Sequence, residues 1–161
     1  MLTATIGPRP FSTGFQIRID SGTFKTEDVS PRPFFSETHL LDSSGNQIAR
    51  MWAESLTSNI SNIIITGGGF YQFAPDPASS PGWNRESWTC KGEGRSLLIA
   101  QNNRRLFIVS EEETEIATSS KTGYLDDYTI TVQRDSDLKL LICISVLLIR
   151  SQQSSDSFSL L

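Results

Sequence analysis

Apolar and polar positions alternate along much of the chain, and a period of two marks a strand with one buried face. Phe15, Ile17 and Ile19 alternate with Gln16, Arg18 and Asp20, and Ser21-Gly22 ends that run. Phe34 to Leu41 reads as a second strand, and Asp42-Ser43-Ser44-Gly45-Asn46 as a turn built from residues that bond their own backbone. Gln47 to Glu54 follows, with a slip at Met51-Trp52 that fits a bulge. Ile60 to Thr66 is β-branched and ends at Gly67-Gly68-Gly69, a tight turn before Phe70-Tyr71-Gln72-Phe73. After the proline-rich loop of residues 74 to 82, further strands are predicted over Arg85 to Cys90, Ser96 to Ala100, Arg104 to Ser110, Glu115 to Ser119 and Tyr128 to Gln133. Turn residues separate them, as in a sandwich or barrel. Residues 1 to 12 read as a flexible N-terminus, residues 25 to 33 (with Pro31 and Pro33) as a loop, and residues 151 to 161 as a disordered polar tail. One domain is expected over residues 13 to 150.

Leu138 to Arg150 breaks the alternation. It is long for a strand and ordinary for a helix. Asp137 is a good N-cap, and Asp135 places negative charge near the positive helix end. Lys139, Cys143 and Arg150 share one helical stripe, and nearly every other position is apolar. A helix apolar almost all round must be surrounded by protein. Leu138, Leu141, Ile142, Ile144 and Leu148 are therefore expected to form the core itself. The apolar run is too short for a membrane-spanning helix, which needs about 20 such residues.

Composition narrows the function classes. A net charge of −4 gives no broad basic field for nucleic acid. Two cysteines, Cys90 and Cys143, are too few for a disulfide framework and read as free, partly buried thiols. With His39 as the single histidine, a metal centre lacks ligands, so no metal or cofactor is expected. Nucleophilic catalysis through Cys90 would need His39 beside it in space. Met1 to Pro10 carries no basic start and no apolar run of signal length, so an intracellular, cytoplasmic location is expected.

A run of hairpins followed by a very apolar C-terminal helix resembles the tubby C-terminal-like superfamily. That group includes LURP-one-related proteins, phospholipid scramblases and small fungal families. Asp127-Tyr128-Thr129-Ile130-Thr131-Val132, followed by Asp137 and Leu138 to Ile149, looks like the family's last strand, acidic cap and core helix. Leu41 to Ala49 looks like its early hairpin, and Trp88 with Gly92 like its central strand. The resemblance implies a mainly β fold, an antiparallel barrel closed around the C-terminal helix. The chain looks short for all twelve strands, so a partial barrel with missing or very short strands is one expectation.

The resemblance also implies non-catalytic binding, because tubby proteins hold phosphoinositides through basic side chains and scramblases associate with membranes. An anionic phospholipid or a membrane surface is thus the first expected partner, with Arg95, Arg104 and Arg105 as its contacts. The alternative is a protein–protein interaction module that uses the loop of residues 74 to 83 and Trp83. Neither reading makes the chain an enzyme.

Overall fold

The computed structural model describes residues 1–10, 12–32, 35–54, 59–78, 87–102, 106–122 and 127–159. Twelve strands follow one another: β1 (Leu2–Pro8), β2 (Phe15–Ile19), β3 (Gly22–Arg32), β4 (Phe35–Leu41), β5 (Gln47–Ala53) and β6 (Ser61–Ile65) in the first half. The second half holds β7 (Gly69–Pro75), β8 (Ser87–Gly92), β9 (Arg95–Asn102), β10 (Leu106–Glu111), β11 (Thr114–Thr122) and β12 (Asp127–Val132). A turn of 3-10 helix (Asp135–Asp137) leads into α1 (Leu138–Ser159). Each strand pairs antiparallel with its neighbour in sequence, and β1 pairs with β12, so the sheet closes into a barrel. No strand is missing.

Closure rests on a segment expected to be unstructured. β1 pairs with β12 from Leu2 opposite Val132 to Ile6 opposite Tyr128, and with β2 on its other side. Its small residues fit here because Ala4 and Ile6 point inward and are fully buried. A second correction concerns residues 25 to 33, most of which belong to β3. Pro31 is accommodated near the strand's end, where the register with β4 shifts between Val29 and Arg32. A third concerns β5, where Ala49 and Met51 face inward without a slip. The irregularity lies at Ile48, skipped where Leu40 pairs with Ala49 and Leu41 with Gln47.

Two hairpins turn on two residues with positive φ, the conformation that matches the strand twist. Glu93 and Gly94 form one, at 50° and 71°. Glu112 and Glu113 form the other, at 51° and 66°, with no glycine to relieve the strain. Gly92 is needed for a separate reason: a Cβ there would meet the Phe70 carbonyl oxygen at 2.1 Å.

The core helix lies inside the barrel. Leu140 to Ile149 are buried on every side of α1 except at half-buried Leu147. With a single closed sheet around it, only the lumen can cover a helix all round. Leu138, Leu141, Ile142, Ile144 and Leu148 join inward side chains of the strands in one cluster, among them Ile6, Ile17, Met51, Ile63, Ile99 and Ile130. Burial of each such aliphatic contributes about 1.5–3 kcal/mol. The one polar residue in the stretch, Ser145, donates its hydroxyl to the Leu141 carbonyl at 2.6 Å, so no bond is lost. Phe73 and Trp88 stack on the wall's inner side with centroids 6.5 Å apart. The helix runs on to Ser159, past the expected end at Arg150 and into the stretch expected to be a disordered tail.

Candidate functional site

Basic side chains gather on the outer wall of β1 to β3. Phe15 and Ile17 fill the lumen, so Gln16 and Arg18, which alternate with them, face outward. Lys25 pairs with Gln16 across β3, and Thr23 pairs with Arg18. Arg9, just after β1, donates from Nη1 to the Thr26 carbonyl at 2.7 Å. These residues line or flank a groove of about 300 Å³ whose far side is Asp42 and Ser43. Lys25 Nζ lies 3.7 Å from Glu27 Oε1, and both side chains are over two-fifths exposed, so water screens that pair. Arg18 makes no ion pair with any described residue. Asp42 does not cancel the cations by direct contact, because its carboxylate holds its own turn. It accepts from the amides of Ser44 and Asn46 at 2.9 Å each and from Asn46 Nδ2 at 3.3 Å. The Asn46 amide, with the others, keeps it ionised below the usual carboxylate range.

Arg95 has another task. Its Nε and Nη2 grip Glu111 at 2.8 and 2.9 Å, and its Nη1 donates to Asp137 Oδ1 at 2.8 Å. Arg134 joins from outside, 3.1 Å from Glu111 and 3.4 Å from Asp137. Arg95 holds Glu111 below its ordinary pKa, against the opposing effect of burial. The expected ligand contact is therefore a clamp: Arg95 on the wall seizes the acid that starts the core helix. Asp137 serves this clamp. Arg104, Arg105 and Trp83 lie outside the described residues.

The same mouth of the barrel carries a cleft of about 440 Å³, lined by Ile65, Tyr71, Asp135, Asp137, Lys139 and Leu140 among others. At the opposite mouth, Arg150 of α1 pairs with Asp28 at 2.7 Å, bonds Thr38 and lies over the Phe15 ring at 5.5 Å. Thr13 and Thr38 also donate to Asp28, at 2.6 and 3.0 Å. Burial opposes the ionisation of Asp28, but Thr13 and Arg150 outweigh it and hold its pKa below the ordinary value.

The thiols and the histidine do not meet. Cys90 and Cys143 are free and fully buried in the lumen, and burial pushes both thiols up to about 12. His39 sits on the outer face of β4, where Glu37 Oε2 lies 2.8 Å from its Nε2. Glu37 is also gripped by Arg50 at 2.6 and 3.1 Å, and the Arg50 guanidinium stacks over Trp52 at 5.3 Å. Among the described residues no group of three His, Cys, Asp or Glu could hold a metal ion. No helix among them is long and apolar enough to cross a membrane.

The class defined by these features is a closed, twelve-stranded antiparallel barrel threaded by its own C-terminal helix. No family model matches the chain, and no curated protein or solved structure matches it.

The groove residues were in view in the sequence only in part. The outward position of Arg18 follows from the alternation around it. Its neighbours Arg9 and Lys25 fall in segments read as flexible or as loop, so their convergence depends on pairings that local pattern does not carry.

Proposed function

We propose that the chain is a non-catalytic binding barrel of the tubby-like kind that engages anionic phospholipid head groups at a membrane surface. Arg9 and Lys25 on one groove of the outer wall, with Arg18 paired across from the groove residue Thr23, carry the reading. The closed barrel around a C-terminal helix, which the tubby-like resemblance implies, supports it. Thiols pushed up to about 12, on the opposite side of the wall from His39, favour binding over catalysis. Each Lys or Arg near an anionic surface contributes about 1 kcal/mol, so neutralising one weakens binding about fivefold. Co-sedimentation with vesicles of neutral or anionic lipid tests this at low and high salt. Binding is expected to anionic vesicles only, to fall with salt, and to be lost in the Arg18→Glu, Lys25→Glu double variant. Equal retention of that variant and the native chain on anionic vesicles overturns the proposal.

A second reading, a protein interaction surface, is favoured by Ile64 and Phe70. They pair across β6 and β7 and are 37% and 42% exposed on the outer wall. A chain that ignores vesicles at both salts would favour it.

A further inference from the structure

The groove on β1 to β3 carries charges of both signs that do not neutralise one another. Arg9, Lys25 and Asp42 all line it, with Gln16, Thr23 and Ser43 as neutral polar groups. Lys25 lies opposite Leu41, the residue before Asp42, in the register of β3 with β4. Even so, Asp42 forms no ion pair with Lys25, with Arg9 or with any other described residue. Its Oδ1 is taken by the amides of Ser44 and Asn46, but its Oδ2 accepts only Asn46 Nδ2, at 3.3 Å, and keeps accepting capacity. Arg9 is anchored rather than neutralised. One of its five N–H groups goes to the Thr26 carbonyl, which fixes the guanidinium and leaves its charge for a ligand.

This set of charges defines the ligand. A simple anion satisfies Arg9 and Lys25 and is repelled by Asp42. A head group that satisfies all three carries two negative groups and one positive group, the inverse of the groove's own set. Phosphoserine is that inverse: its phosphodiester and carboxylate are negative and its ammonium positive. Phosphoglycerol offers only the phosphodiester, and phosphoethanolamine lacks the second negative group. The groove's volume of about 300 Å³ stands at the small end of the range for ligand sites, the scale of a single head group.

We propose that the groove selects phosphatidylserine among anionic lipids, with the phosphodiester and carboxylate on Arg9 and Lys25 and the ammonium on Asp42. The proposal rests on the head-group reading above and narrows it to one lipid class.

Co-sedimentation of the full chain with phosphatidylcholine vesicles tests it. The vesicles hold equal fractions of phosphatidylserine or of phosphatidylglycerol, so both surfaces carry the same charge. Phosphatidylserine is expected to bind about fivefold more tightly or better, the effect of one charge contact. Asp42→Asn keeps an oxygen for the turn amides and should erase the preference by strengthening binding to phosphatidylglycerol. Glycerophosphoserine in solution should displace the chain at lower concentration than inorganic phosphate, which separates the head group from its phosphate alone. Equal binding to the two vesicles overturns the proposal and leaves the anionic-surface reading standing. So does a preference that survives Asp42→Asn, or equal displacement by inorganic phosphate. A chain that binds neither vesicle overturns both.

Discussion

The core helix is fastened at both mouths of the barrel by an arginine and a carboxylate, but the two fastenings are built differently. At the first mouth the helix offers the acid, Asp137, and the wall offers Arg95. At the second the helix offers Arg150 and the wall offers Asp28. Asp137 has a side chain 5% exposed and depends on arginines alone, whereas Asp28 is 29% exposed and also holds two threonine hydroxyls. Similar pairs should therefore differ in what their loss costs. An ion deprived of its partner is expensive where water and alternative donors are absent, and tolerable where they are present.

Arg95→Met should have the largest effect. It preserves much of the side-chain volume and leaves Asp137 buried with only the more distant Arg134. Loss of one partner from a buried pair costs about 3–5 kcal/mol, to be read from urea unfolding midpoints. Arg150→Met at the other mouth should cost less, about 1–3 kcal/mol, since Thr13, Thr38 and water remain to Asp28. A larger loss at Arg150 than at Arg95 would reverse the comparison.

Acid should sharpen it further. Arg95 and Arg150 help hold Glu111 and Asp28 ionised below their ordinary values of 4.5 and 3.8. A carboxylate with a depressed folded pKa contributes stability that is full above its unfolded value and lost as pH falls through its folded value. Stability should thus be flat with respect to these groups near neutrality and decline below about pH 4.5. In Arg95→Met, Glu111 loses its main support, so the slope of that decline should lessen. A slope unchanged by the substitution would detach Glu111 from the clamp.

What the sequence made legible follows from the range of the interactions involved. α1 announces itself because apolar residues on all its faces admit one placement, inside. β12 is as plain, since Tyr128, Ile130 and Val132 alternate with polar neighbours and all three point into the lumen. β1 was hidden. Its alternation is short and ends at Gly7 and Pro8, and one of its two partners is β12, more than a hundred residues away in sequence. β3 was masked by Pro31, which lies at a register shift where a lost donor does little harm. The role of Arg95 was out of reach for the same reason as β1: Asp137 is 42 residues further on. Arg18 could be placed on the outer face, but its grouping with Arg9 and Lys25 is a product of three strands paired in a register that no local pattern encodes.

The C-terminal helix is the core on which the barrel closes. The direct measurement is the thermal and urea unfolding of the chain truncated after Ser136, followed by circular dichroism and amide NMR dispersion. The truncated chain should show neither cooperative unfolding nor dispersed amides, since the lumen loses the side chains that fill it. A truncated chain that stays soluble, shows dispersed amides and melts in a single cooperative step would contradict it.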